Sequence, residues 1–241
     1  MSKFPAGFGS RLVVASAVLL GLAGCQTSPP PVKIPAPAQV GPEQTAIPVG
    51  AQDYKLVAEE SLLQILVYRG GAMARLGHNH VIASHQLAGN VYLTADPTQT
   101  RFDISFPVDE LTVDEPAMRE SAGVDFPPGV PQSARDGTRV NMMSAALLDG
   151  ANYPLVRLRA TAVAASGDGY DVDVEITLKD QLFHARVPMQ VKRRDDAITA
   201  SGEFPLKQSE LGLKPFSAAM GALLVIDEMR VRFEVTAREG K

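Results

Sequence analysis

The sequence predicts a mainly β protein, an antiparallel sheet that closes into a barrel or packs as a sandwich, interrupted by a short helical insertion. Three observations point to it. Apolar and polar residues alternate with a period of two through five runs between residues 156 and 235, a short Lys179-Asp180-Gln181 connection joins two of these runs as a hairpin, and the alternation lapses from Pro116 to Tyr153.

The first element in chain order lies outside that fold. Lys3 and Arg11 precede an uncharged run from Leu12 to Leu22, which ends in Leu22-Ala23-Gly24-Cys25 around the only cysteine of the chain. The run is too short to be a stable transmembrane anchor and has the layout of an export signal. It resembles the signal of bacterial lipoproteins. That resemblance implies removal of residues 1–24, acylation of Cys25 with chains such as palmitate, and membrane attachment through them. Gln26, where Asp would retain the protein in the inner membrane, implies sorting to the outer membrane with the domain facing the periplasm. Taking Lys3 and Arg11 from the 23 basic residues leaves 21 against 27 acidic ones, a net charge of −6. With no Lys/Arg cluster on a predicted helix, that balance argues against nucleic acid as a partner. Once Cys25 is acylated, no thiol remains for a disulfide, redox catalysis or a thiolate metal site.

Residues 25–50 read as the acylated cysteine and a linker. Pro29, Pro30, Pro31, Pro35, Pro37, Pro42 and Pro48 fall in this stretch, which has neither helical nor strand periodicity. Proline fixes φ and removes donors, so an extended spacer is expected. Residues 51–241 remain for one β domain, and hydrophobic residues, 45% of the whole chain, suffice to build its core.

The strands follow. Val156, Leu158, Ala160 and Ala162 share one face, with Arg157, Arg159 and Thr161 on the other. Tyr170, Val172, Val174, Ile176 and Leu178 alternate with charged and polar residues, and so do Phe183, Ala185, Val187, Met189 and Val191. Ile198, Ala200, Gly202, Phe204 and Leu206 continue the pattern, which Met229, Val231, Phe233 and Val235 complete. Asp227 breaks the apolar parity after Leu223 and Val225 and is expected where the chain bends. In the lapse, Met118, Val140, Met143, Leu147 and Leu148 have helical spacing, broken by Pro127-Pro128-Gly129 and Gly150, and a helical crossing of this kind is suited to covering an open end of the sheet structure.

Three of the four histidines, His78, His80 and His85, crowd one segment. On a strand, His78 and His80 share a face and could grip one metal ion, yet His85 has the wrong parity for a third ligand and His184 faces outward. Imidazoles hydrogen-bonded to the backbone are therefore the expected state, and the weak metal candidates His78 and His80 carry the alternative of a metal-binding protein or metalloenzyme. The contiguous His78-Asn79-His80 is not the nuclease motif, whose residues are spread over tens of positions. No nucleophile elbow, phosphate loop or dinucleotide fingerprint is present, so the expectation is a protein without catalytic residues or cofactor. Arg157 and Arg159 are read as a solvated face, with an anionic head group as the sharper alternative.

Two stretches carry a family resemblance. Ser144-Ala145-Ala146-Leu147-Leu148-Asp149-Gly150-Ala151-Asn152-Tyr153-Pro154 before a strand, and Phe204-Pro205-Leu206-Lys207-Gln208-Ser209-Glu210-Leu211-Gly212-Leu213 leading into Leu224–Val231, resemble the YceI-like family from about residue 53 to 238. The resemblance implies a lipocalin-like antiparallel β-barrel that holds a polyisoprenoid or similar long apolar lipid. The residues expected to line its lumen are Val156, Leu158, Val172, Val174, Ile176, Phe183, Val187, Phe204, Val231 and Phe233.

Overall fold

The structure is a computed structural model and describes residues 46–240, so the signal, Cys25 and the linker up to residue 45 lie outside the described residues. Fourteen strands are described: β1 (Gln52–Leu56), β2 (Leu62–Val67), β3 (Arg69–Gly70), β4 (His80–Ser84), β5 (Ala88–Leu93), β6 (Arg101–Pro107), β7 (Thr112–Val113), β8 (Leu155–Ser166), β9 (Gly169–Leu178), β10 (Gln181–Arg194), β11 (Ala197–Lys207), β12 (Ser217–Ala218), β13 (Leu223–Val225) and β14 (Glu228–Glu239). Two helices, α1 (Pro116–Ala122) and α2 (Gln132–Met143), lie between β7 and β8.

Eight strands close an antiparallel barrel in the order β1-β5-β6-β8-β9-β10-β11-β14, with β14 pairing back to β1. Closure removes the exposed edges that an open sheet would leave. One edge of β14 serves two strands, β1 along Ala237–Glu239 and β2 along Arg230–Glu234. A tight turn at Ala58–Glu60 separates β1 from β2, and the Ser61 hydroxyl accepts the Thr236 N–H at 3.1 Å and donates to Val57 O at 2.7 Å. This break lets β2 leave the ring and carry β4 and β7 with it.

Two-residue turns join the long strands. Leu178 pairs with Gln181, and Lys179 and Asp180 both take positive φ (52° and 55°), the type I′ geometry whose twist matches a hairpin. Asp195, between β10 and β11, also takes a positive φ. The β10–β11 ladder runs only from Gln190 to Arg194. Pro188 has no N–H to extend it, and beyond this point Phe183 packs instead against Gly212 of the following turn. At Gly89, φ is 142° and a Cβ would stand 2.1 Å from Asp103 O, so only glycine allows β5 to approach β6 there.

One expected parity is corrected. A bulge at Thr161 shifts the β8–β9 register, so Ala160 opposes Val174 while Ala162 opposes Asp173. Past the bulge Ala162 turns outward and Val163, opposite Val172, faces the lumen. Asp227 lies in the turn between β13 and β14, where it accepts the Ser209 N–H at 2.9 Å and hydroxyl at 2.6 Å.

The core has two parts. The main cluster is the barrel interior, including Val156, Val172, Val174, Ile176, Leu206 and Val231. The second lies on the outer side of β2 and β4, where Leu66 and Val81 meet Phe126, with Met118 and Ala122 of α1 packed on them. So α1 covers outer wall. The other helix, α2, contributes Ala134, Gly137, Thr138, Asn141 and Met142 to the lumen wall, whereas Val140 points to solvent.

Candidate functional site

The barrel encloses a cavity of about 840 Å³. Its middle belt is apolar, because period-two strands direct every second residue inward and those residues are Val, Ile, Leu and Phe. Val156, Leu158, Val172, Val174, Ile176, Val187, Phe204, Val231 and Phe233 all form part of this wall. Phe183 stands apart. It pairs with Ile176 near the barrel's end, and its ring packs where a Cβ on Gly212 would come within 2.9 Å.

The two ends are polar. Thr94, Thr100 and Arg193 border the cavity at the end holding the β8–β9 turn, and Arg193 donates to the buried Tyr54 hydroxyl at 3.1 Å. At the other end are Arg69, His78, His80, Thr138, Asn141 and Gln208.

That second end rests on a network that sequence patterning does not reveal. Asp114 Oδ2 lies 2.6 Å from His80 Nδ1, while Oδ1 accepts the Val81 N–H at 2.9 Å and Arg119 Nη1 at 2.5 Å. The Arg119 guanidinium also donates to Asn79 O at 2.8 Å and to Pro127 O at 2.7 and 2.9 Å, and it stands 5.9 Å from the Phe126 ring centre. Asp114 and Arg119 are both buried, so the carboxylate is matched by a cation whose three nitrogens all donate to acceptors. Burial opposes ionisation of Asp114. The His80, Val81 and Arg119 hydrogen bonds, together with the His80 charge, nevertheless hold its carboxyl below the ordinary range.

His80 Nε2 lies 3.1 Å from the Thr138 hydroxyl, which ties β4 to α2. The expected backbone bonding of His80 is corrected on this point: both ring nitrogens are engaged by side chains. His78 and His80 lie with ring centres 6.0 Å apart, and His85 pairs elsewhere with Glu115 at 3.0 Å. Among the described residues no group of three or more His, Cys, Asp or Glu is placed to hold a metal. Burial and the neighbouring His80, Arg119 and Arg69 charges push the His78 pKa down, against the opposing pull of Asp114. Its imidazole is therefore neutral at pH 7, able to donate through one nitrogen and accept through the other. Arg159 pairs with Glu175 on the outer wall, Nε to Oε2 at 2.9 Å, and Arg157 faces the same side between Ser105 and Thr177.

A closed eight-stranded barrel with an apolar lumen and a helical crossing at one end agrees with the family whose YceI-like domain matches residues 54–237. The chain belongs to the YceI-like family. Among solved structures, that of Burkholderia cenocepacia BcnA is similar at 15% identity and a TM-score of 0.56, over 75% of this chain and 98% of that one. A Campylobacter jejuni YceI protein is similar at 9% identity and a TM-score of 0.46, over 65% of this chain and 82% of that one. No curated protein matches the sequence. This YceI-like barrel is chemically suited to enclose a long apolar molecule, with hydrogen-bonding groups at the ends for whatever polar terminus it has.

Proposed function

We propose that this YceI-like protein is an outer-membrane lipoprotein that faces the periplasm and carries a polyisoprenoid or similar long apolar lipid in its barrel. The supporting observation is the 840 Å³ apolar lumen, which exceeds what packing defects leave in a filled core. Burial alone supplies the affinity, at about 0.8 kcal/mol per methylene removed from water before the costs of immobilisation. His78, Thr138 and Asn141 then receive the polar terminus. Binding rather than catalysis is the reading, because the hydroxyl–imidazole–carboxylate series found among the described residues, Thr138-His80-Asp114, joins α2 to β4.

Native mass spectrometry and solvent extraction of the protein purified without added lipid test the cargo. One bound long-chain lipid per protein is expected, and an empty lumen would overturn the reading. Anchoring is tested separately: Cys25→Ala should lose labelled palmitate and leave the membrane fraction, and undiminished labelling would sink the lipoprotein assignment.

A further inference from the structure

The end of the barrel that carries His78 also carries an apolar rim outside the lumen. β12, β13 and β3 form a small sheet there, in which Leu224 pairs with Gly70 and Val225 with Arg69. Two loops project from it. In one, Met73 and Leu76 are exposed; in the other, Met220 is fully exposed, and Ile226 at the base is also open to solvent. The loops touch, since Met73 N donates to Ala222 O at 2.7 Å. Ala219 and Met220 both take left-handed φ (48° and 54°), a conformation that non-glycine residues rarely adopt, and this presents the Met220 side chain outward. The rim is continuous with the cavity, whose wall includes Gly77, Leu223 and Leu224 from the same segments.

Its charge differs from that of the whole chain. The protein is net acidic, yet residues 61–95 and 211–226 contain no Asp or Glu. Arg75 and Lys214 are exposed there and form no ion pair among the described residues. The acids flanking the second segment are engaged within the adjoining turn, Glu210 with the Lys207 N–H and Asp227 with Ser209. Exposed methionine and aliphatic side chains on segments that also carry these two cations complement an anionic lipid surface, in which the apolar groups leave water and the cations meet head groups.

We propose that this rim, Met73, Leu76, Met220 and Ile226 with Arg75 and Lys214, docks on an anionic phospholipid bilayer. Docking places the His78 end of the lumen against the lipid, so a ligand passes between membrane and barrel without crossing water; this purpose rests on the carrier reading, whereas the docking does not. The chain permits it. Twenty-six residues separate Cys25 from Gln52, a covalent reach of up to about 90 Å, while a twelve-residue wall strand such as β14 spans about 40 Å. An anchor at Cys25 therefore does not prevent the far end of the barrel from reaching the same membrane.

The chain contains no tryptophan, so a single introduced indole reports on its own surroundings in the full-length protein, whatever the N-terminus does. Met220→Trp is compared with Asp168→Trp in the β8–β9 turn at the opposite end, each mixed with vesicles of phosphatidylglycerol and brominated phosphatidylcholine. At least a twofold quenching of the indole at position 220, none of the indole at position 168, and a reversal of most of that quenching by Arg75→Glu with Lys214→Glu are expected. Equal quenching at both sites, or none at position 220, overturns the proposal. So does undiminished quenching on phosphatidylcholine alone, which would remove the anionic preference. A blue shift of the position-220 emission that grows with protein concentration without vesicles assigns the rim to a second copy and likewise overturns it. Absence of extracted lipid would refute the carrier reading and leave this result untouched.

Discussion

Asp114 takes a positive φ of 56° and is buried, and three donors converge on its carboxylate. A buried carboxylate stripped of its charge leaves Arg119 uncompensated, so the neutral form is disfavoured in the fold. Its folded pKa is depressed, so its contribution is present above the unfolded value of about 3.9 and is lost as pH falls through the lower folded value. Urea unfolding between pH 6 and pH 2 should show stability of the wild type falling in that acid window. Asp114→Asn should be less stable at pH 6 by several kcal/mol, about 3–5 for a broken buried pair, and should lose less on acidification. A variant with the same acid slope as wild type would show that other carboxylates govern the loss. This network was not legible in the sequence. His80 stood out because histidines are few, but its partners lie 34 and 58 positions away with nothing in their local pattern to mark them. Asp114 and Arg119 carry no local pattern that marks them, and only folding pairs them and sets the Arg119 guanidinium against the Phe126 ring.

At the scale of elements, alternation located β8 to β11 and β14 because each has one face in the lumen and one in water, and the burial pattern of β9 repeats it from Asp171 to Leu178. The bulge at Thr161 was invisible, since alanines on both sides of it fit either face. The short β3, β7, β12 and β13 have two or three residues each, too few for a period to show. β4 is buried throughout, with the barrel interior on one side and α1 on the other, so it lacks alternation altogether. Turn chemistry offers a direct test. Asp180 has φ of 55°, at a position where a type I′ turn favours glycine, and the cost of a Cβ there is about 1 kcal/mol. Asp180→Gly should thus raise Tm by about 2–4 °C while keeping the Lys179 bond to Ala145 O. A fall in Tm would mean that unfolded-chain entropy outweighs the relief of strain.

For the whole molecule, alternation was compatible with both sandwich and barrel, because each gives every strand one inner face. Closure depends on β14 offering one edge to β1 as well as β2, a matter of register that no single strand encodes. The family resemblance chose the barrel, and the ring of eight strands shows it. Whether side chains fill the interior is also a property of the ring, since the same Val, Ile and Phe would pack a solid core if the strands closed more tightly. Val174 probes this. Its cross-strand partners are Ala160 and Ala185, small residues that leave space beside it, and it lines the cavity. Overpacking a dense core costs about 1–3 kcal/mol, whereas an indole placed in a tunnel occupies volume that a ligand vacates. Val174→Trp should therefore keep Tm within a few degrees of the lipid-free wild type while its extract loses the bound lipid. Strong destabilisation together with a lipid-free wild type would identify a filled core and end the carrier reading, because the indole would then have met side chains rather than space.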